Sequence, residues 1–234
     1  MFQRSSAFIA AMLAANLASA FAQDPLQVGP DIYKLVFENE HVRVLDVHFQ
    51  PGAKVAMHAH PDHLVYIASG EELTLSYLDG STKKMTGKPG DMLWVKAESH
   101  AAQNTSGHEV TGAVIELKDA PERAATQPAD RTGPDPVKLT PEAYKVPLDN
   151  ERVRVLDVHL TAGGKLPMHA HPDHLVYALA GGKARFTSPD GRSNDAEIKA
   201  GQVMWHATES HAVENIGTGE LHVLDIELKP PTRK

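Results

Sequence analysis

The chain has 234 residues and a formal net charge of −7, a length that suits one large domain or two of roughly 100 to 120 residues. The acidic balance, with no basic runs interleaved with aromatic residues, argues against a nucleic-acid partner. The sequence has no cysteine, which excludes thiolate metal ligands, cysteine nucleophiles and disulfides, and leaves histidine, carboxylates and hydroxyls for any chemistry.

The first 22 residues have the pattern of a secretory signal peptide. Arg4 precedes an apolar run that ends near Ala20, and Ala20-Phe21-Ala22 is a small-x-small cleavage sequence. The run is shorter than the roughly 20 residues that span a bilayer, so a retained membrane anchor is the weaker alternative. We expect cleavage after Ala22 and a mature periplasmic or secreted protein that starts at Gln23.

The rest of the chain is a tandem repeat. An offset of 111 residues aligns 24–118 with 135–229 without a gap, and 42 of the 95 positions are identical. A period of this length is too long for a solenoid unit, so each copy should be a domain with its own core. The unmatched segment between the copies has the composition of a linker. We therefore predict domains at 23–118 and 135–234, joined by a linker at 119–134.

Each copy contains short runs typical of β-strands. In the first copy these runs lie at 42–49, 63–69, 73–78 and 111–117, and turn residues such as the Pro-Gly pairs separate them. No helical period persists for three turns. Several short strands separated by Gly, Pro and Asp predict an all-β sandwich or barrel in each copy.

The ten residues MHAHPDHLVY occur at 57–66 and again at 168–177. Because side chains alternate along a strand, His58 and His60 should share one face. We expect the following Pro-Asp pair to form a two-residue turn, which makes His60 and His63 a cross-strand pair on that face. Three imidazoles would then converge in the barrel interior, where each needs a donor, an acceptor or a metal ion.

A further histidine recurs downstream, as His100 and His211. The nearest recurring carboxylates, Glu98 and Glu209, precede these histidines by two residues, and they are candidates for a base, an additional ligand or a solvated loop position. The candidate metal ligands are therefore His58, His60, His63 and His100 in the first copy and His169, His171, His174 and His211 in the second.

An all-histidine site favours Fe, Mn, Ni, Cu or Zn over Mg or Ca, because the latter two prefer oxygen ligands. Neutral ligands leave the ion its full charge, which makes it a strong Lewis acid. The alternative is a polar core of hydrogen-bonded histidines without metal.

These residues resemble the two motifs of the cupin superfamily. The first motif, G-x5-H-x-H-x3 or x4-E-x6-G, is matched by Gly52, His58, His60 and Gly70 and by Gly163, His169, His171 and Gly181. The second motif ends in H-x3-N, which is matched by His100 and Asn104 and by His211 and Asn215. The resemblance covers nearly all of the chain between the signal peptide and the C-terminus outside the linker. It implies a bicupin with two tandem jelly-roll β-barrels.

The sequence departs from the first motif at one informative position. His63 stands where cupins usually have glutamate, in a loop one or two residues shorter than usual. The resemblance therefore implies a four-histidine site, or a three-histidine site with His63 and His174 outside it. Val95 and Ala97 also replace the Pro and Gly of the second motif.

The resemblance implies a metal-dependent enzyme that acts on a small organic substrate, by family prevalence a dioxygenase, although cupins also include isomerases, lyases and decarboxylases. A periplasmic metal or small-molecule binder without turnover is the alternative. The two sites can differ in activity, because Val95 is paired with His206 and Leu75 with Phe186. A homo-oligomer is left open.

Overall fold

The computed structural model describes residues 23–70, 72–118 and 133–229. The predicted signal peptide, 1–22, lies outside the described residues. So does the predicted linker, 119–134, apart from Gly133 and Pro134.

The two copies fold into the same order of elements. Domain 1 contains helix α1 (Pro25–Val28) and strands β1 (Tyr33–Glu38), β2 (Val42–Phe49), β3 (Lys54–His60), β4 (His63–Ser69), β5 (Glu72–Ser76), β6 (Thr82–Thr86), β7 (Met92–Val95), β8 (Glu98–Asn104) and β9 (Val110–Leu117). Domain 2 contains α2 (Pro136–Leu139), β10 (Tyr144–Asp149), β11 (Val153–Leu160), β12 (Lys165–His171), β13 (His174–Ala180), β14 (Gly182–Thr187), β15 (Ser193–Ile198), β16 (Val203–His206), β17 (Glu209–Asn215) and β18 (Leu221–Leu228).

Each domain is built from two antiparallel sheets. In domain 1 a five-stranded sheet has the order β1-β2-β9-β4-β7 and a four-stranded sheet the order β3-β8-β5-β6; domain 2 repeats both orders. Alternate residues of β2, such as Leu45, Val47 and Phe49, are buried between the two sheets together with Leu73 and Leu75. This alternation is what a sheet that packs on one inner face requires. The predicted all-β architecture with two tandem domains is confirmed.

The outer face of the five-stranded sheet is also buried, because it packs against the same sheet of the other domain. Val42, Val44 and Leu64 of domain 1 belong to one apolar cluster with Val153 and Leu175 of domain 2. All five side chains are fully buried. Both β2 and β11 therefore carry buried apolar side chains on each of their two faces.

The predicted hairpin between His60 and His63 is wrong. Strand β3 pairs with β8 in one sheet, whereas β4 pairs with β7 and β9 in the other. The Pro-Asp pair leads from the four-stranded sheet, which contains β3, to the five-stranded sheet, which contains β4. Asp62 does not close a hairpin turn. Its side chain accepts a hydrogen bond from the Ala97 N–H at 2.9 Å, and its carbonyl accepts one from the Leu117 N–H at 2.9 Å.

Candidate metal centres

Three histidines of domain 1 meet between the two sheets. His58 and His60 lie on β3, and His58 is directly opposite His100 of β8 in the strand register. One ring nitrogen from each of the three lies within 4.8 Å of the others. All three side chains are buried. A set of three inward-facing imidazoles is a sufficient protein ligand set for a transition metal with open coordination positions.

The three rings are held by hydrogen bonds on the nitrogen that faces away from the cluster. Nδ1 of His58 donates to the Ala56 carbonyl at 2.8 Å, Nδ1 of His60 donates to the Glu116 carboxylate at 2.6 Å, and Nδ1 of His100 donates to the Glu98 carboxylate at 2.8 Å. A neutral imidazole that donates from Nδ1 carries its lone pair on Nε2. Each ring is therefore fixed with Nε2 as its available ligand atom, the arrangement typical of metal-binding histidines.

A buried ion pair supports His60 from behind. The Glu116 carboxylate, 2% exposed, accepts hydrogen bonds from His60 and, at 2.5 Å, from Nε of Arg43. Arg43 also binds Asp24, which caps α1 through the Leu26 N–H. Burial alone raises the pKa of Glu116, but its hydrogen bonds to His60 and Arg43 lower it overall. The carboxylate is thus kept ionised and keeps the Nδ1 proton on His60.

His63 lies beside the three-histidine group but outside it. Its ring centroid is 4.9 Å from that of His60, yet it does not share the mutual 4.8 Å distances of the other three. Its Nδ1 donates to the Pro61 carbonyl at 2.7 Å, so its Nε2 is also available. The geometry gives a three-histidine site with a fourth imidazole next to it.

Domain 2 repeats this arrangement. Ring nitrogens of His169, His171 and His211 lie within 4.8 Å of one another. Their Nδ1 atoms donate to the Pro167 carbonyl, the Glu227 carboxylate and the Glu209 carboxylate, at 2.7, 2.9 and 3.0 Å. His174 stands beside His171, with ring centroids 4.8 Å apart. Both copies therefore present the same three ring nitrogens as possible metal ligands.

Burial keeps the imidazoles of His58, His63 and His100 neutral. It lowers the pKa of His58 to about 4, and together with the neighbouring His60 it lowers the pKa of His63 to about 4. Burial and the neighbouring histidines lower the pKa of His100 to about 3. At neutral pH these three rings are unprotonated, and no proton has to leave them before a metal ion binds.

The domain 2 histidines divide into two groups by charge. Burial lowers the pKa of His169 to about 4 and also lowers that of His174. Burial would lower the pKa of His171 as well, but the Asp225 and Glu227 carboxylates raise it overall. Domain 1 has Val114 in place of Asp225. The domain 2 site therefore has one more carboxylate than the domain 1 site.

The two sites open on cavities of different size. The domain 1 cavity has a volume of 230 Å³ and an apolar lining next to His60, His63 and His100. The domain 2 cavity has a volume of 80 Å³. Phe186 replaces Leu75, and its ring packs edge-on against His211 with centroids 5.8 Å apart. Ile198 also replaces Gly87. The larger Phe186 ring thus lies where domain 1 has Leu75, whereas Ile198 and Ala178 exchange the small and the large residue of the domain 1 pair Gly87 and Ile67.

The candidate carboxylates Glu98 and Glu209 accept hydrogen bonds from the histidines that follow them. Glu98 lines the domain 1 cavity and binds Nδ1 of His100, and Glu209 binds Nδ1 of His211 and contacts Nδ1 of His206 at 3.1 Å. Burial raises the pKa of Glu209, but hydrogen bonds from His206 and His211 lower it overall. In both copies this carboxylate orients one histidine of the three-histidine group.

Sequence reasoning missed three groups at these sites. Glu116 and Glu227 recur at the repeat offset inside apolar strands, a signal that marks a buried charge with a partner. The hydroxyl of Tyr33 lies 3.2 Å from Nε2 of His58, and Tyr144 recurs at the same place. Asp225, which is buried, has no counterpart in domain 1 and could be found only from its inward position on β18.

The comparisons with known proteins give structural likenesses alone. No family model matches the sequence, and no curated protein matches it. A variant of the Bacillus subtilis oxalate decarboxylase is similar with a TM-score of 0.60 at 16% identity, over 86% of this chain and 73% of that one. A formate complex of the Lactobacillus farciminis oxalate decarboxylase has a TM-score of 0.55 at 15% identity, over 82% and 78% of the two chains.

A third similar structure is AerE from Microcystis aeruginosa, with a TM-score of 0.54 at 16% identity, over 84% of this chain and 97% of that one. At these identities the likeness concerns the fold. The described residues contain no helix that is long and apolar enough to cross a membrane. The repeated pair of antiparallel sheets in each half and these structural matches agree on one architecture: the chain has the two-domain cupin fold, with a cluster of three histidines in each barrel.

Proposed function

We propose that the chain is a metal-dependent enzyme of the dioxygenase type, and that domain 1 acts on a small organic substrate. The observation that carries the proposal is the set of three buried imidazoles whose ring nitrogens meet next to an apolar cavity. His58, His60 and His100 would hold the divalent transition metal, with His63 beside them. When bound, the metal supplies Lewis-acid and redox chemistry.

The side chains around the site hold the histidine rings in position and exclude water from the cavity. Glu98 and Glu116 fix the rings of His100 and His60, so that the ligand atoms need little reorganisation when an ion binds. The apolar lining of the cavity excludes water and favours a substrate with an apolar body and an oxygen donor at one end. The Tyr33 hydroxyl, next to His58, can donate a hydrogen bond to such an oxygen.

The charge of the cavity narrows the substrate class. Among the described residues that line it, the only cation is Lys83, which lies on the exposed strand β6. Arg43 is already paired with Glu116 and Asp24. Oxalate, the substrate in the names of two similar structures, is a small dianion, and the described residues that line this cavity offer it no guanidinium. An uncharged or singly charged substrate, such as an enolisable ketone or a hydroxylated aromatic compound, fits better.

A measurement of turnover tests this proposal, and the variant to use copies a domain 2 residue into domain 1. Leu75→Phe introduces the residue that domain 2 has at this position, and we expect its ring to fill the domain 1 cavity against His100. Metal-loaded wild-type protein should consume O2 with at least one enolisable ketone or hydroxylated aromatic compound in an oxygen-electrode screen. Leu75→Phe should reduce kcat/KM at least tenfold while its metal content stays unchanged.

The matched control is Phe186→Leu, which enlarges the domain 2 cavity and should leave that activity in place. Activity that survives in Leu75→Phe would remove domain 1 as the reacting site. If no compound causes O2 consumption but binding is still measurable by calorimetry, the result would favour the second candidate function, a metal or small-molecule binder without turnover. That candidate is supported by one observation: among the described residues that line the domain 1 cavity, the carboxylates Glu72 and Glu98 are already bound, by Lys84 and by His100.

We also propose that the protein acts in the periplasm or outside the cell. Intact-mass and N-terminal analysis of protein expressed with its full sequence in a bacterial host should give a chain that starts at Gln23 in the periplasmic fraction. Ala20→Arg together with Ala22→Arg should block cleavage, because the processing site requires small residues at these positions. A wild-type chain that keeps Met1 and stays in the cytoplasm would contradict the proposal.

A further inference from the structure

Domain 2 contains a second group of ligand atoms beside its three-histidine site. One atom each from His174, His206 and Glu209 lies within 4.8 Å of the other two. The rings of His174 and His206 are stacked, with centroids 5.1 Å apart and planes inclined by 11°. His174 is buried, whereas the side chains of His206 and Glu209 are 33% and 36% exposed. An ion could therefore reach the group from solvent.

Each of the three groups has an atom left for an ion. Nδ1 of His174 donates to the Pro172 carbonyl at 2.7 Å, which leaves its Nε2. Nδ1 of His206 contacts Oε1 of Glu209 at 3.1 Å, which leaves Nε2 of His206. Both His206 and His211 use Oε1 of Glu209, so Oε2 is available. Two imidazoles and one carboxylate form a ligand set common at transition-metal sites with open positions.

A buried carboxylate oxygen without a hydrogen-bond partner favours a cation in this cavity. Asp225 is 6% exposed and lines the same cavity as His174 and His206. Within the part of the chain that the structure describes, its Oδ1 has no hydrogen-bond partner. Its Oδ2 lies 3.5 Å from Nδ1 of His171, which is long for a hydrogen bond. A buried carboxylate without full compensation is costly, and a nearby divalent cation would remove that cost.

Domain 1 serves as an internal comparison. At the positions of His206 and Asp225 it has Val95 and Val114, although the strands and the three-histidine site are the same. His63, the counterpart of His174, therefore has valine where His174 has His206. Domain 2 combines a smaller cavity with two additional ionisable side chains. The two barrels have become different in the composition of their ligands as well as in volume.

We propose that domain 2 binds a second divalent transition-metal ion through His174, His206 and Glu209, next to its three-histidine site. The carboxylates of Glu209, Asp225 and Glu227 offset the repulsion between two cations in one barrel. Asp225 acts through the field of its charge and is a positioning residue. Domain 1 holds one ion. The proposal goes beyond the proposed function, because this ion can bind whether or not the neighbouring site is active.

Metal-free protein titrated with Co²⁺ tests the proposal, with bound metal counted by mass spectrometry after gel filtration. A surface group, Asp157, His159 and His222, could also take up added metal. All proteins therefore carry His222→Thr, the residue that domain 1 has at this position as Thr111. The parent should bind three Co²⁺ per chain and His206→Val two. Asp225→Asn should weaken the third ion at least tenfold.

The controls separate this proposal from the three-histidine sites. His108→Ala removes an exposed histidine and should still give three ions, and His206→Gln should repeat the loss seen with His206→Val. His60→Ala tests the domain 1 site independently. If His206→Val loses one ion while His60→Ala loses none, the second site stands and the domain 1 centre fails. Equal Co²⁺ content in the parent, His206→Val and His206→Gln would overturn the proposal.

Discussion

Replacement of Glu116 by alanine is expected to lower the free energy of unfolding by about 3–5 kcal/mol, because removal of one partner of a buried ion pair leaves the other charge uncompensated. Glu116 is 2% exposed and binds both Arg43 and His60. The substitution would leave a buried guanidinium and a buried imidazole N–H without their acceptor. Urea denaturation of the metal-free protein at pH 7 measures the loss.

The same substitution should also weaken metal binding 10–100-fold, since outer partners of ligand histidines have effects of this size. Glu116→Gln keeps the shape and one acceptor, so we expect a smaller loss of stability, about 1–3 kcal/mol. Glu109→Ala is the control, because this half-exposed carboxylate binds His48 and Gln50 at the surface. It should change stability by less than about 1 kcal/mol. A Glu116→Ala protein as stable as Glu109→Ala would refute the role of the ion pair.

The metal-free protein is expected to lose at least about 3 kcal/mol of stability between pH 7 and pH 5, since each unit of pKa shift is worth about 1.4 kcal/mol per group. Burial lowers the pKa of His58 and His63 to about 4 and that of His100 to about 3, from an ordinary 6.5. As pH falls below 6.5 the unfolded chain takes up these protons first. Stability is therefore fully present above about 6.5 and is lost towards pH 4.

Domain 2 should contribute less to this loss. His169 and His174 act in the same direction, but carboxylates raise the pKa of His171 and His206, and these two groups gain stability as they protonate. Urea denaturation at pH 7, 6 and 5 after chelation of bound metal gives the slope. His100→Gln should make the slope shallower, because one of the shifted groups is gone. Equal stability of the wild-type protein at pH 7 and pH 5 would contradict the buried neutral histidines.

The sequence was sufficient to predict the all-β class, the repetition of the domain and several of its strands. Strand periodicity and the 111-residue offset are local properties, so the two all-β domains could be read without a structure. His58, His60 and His100 could be grouped from alternation and the recurrence of His100. The position of His63 could not be predicted, because a two-residue connection is compatible with a hairpin or with a crossing between the two sheets. Only the long-range pairing of β3 with β8 decides between them.

The environment of the histidines depends on contacts between distant strands. His60 and Glu116 are 56 residues apart, and only the fold brings them together. Cavity size also cannot be predicted from the sequence, since it depends on pairs of residues that pack against each other, such as Ile67 and Gly87. A Cβ atom at Gly87 would lie 2.1 Å from Cδ1 of Ile67. Domain 2 has Ala178 and Ile198 at these positions, which exchanges the large and the small residue.

The metal content of protein purified from its native compartment tests the central claim most directly. Elemental mass spectrometry should be run on three proteins in the His222→Thr background: the parent, His60→Ala and His171→Ala. The account predicts a transition metal at two or more equivalents per chain in the parent, with one equivalent lost in His60→Ala and at least one in His171→Ala. A parent without bound transition metal, or variants that retain the full content, would contradict it.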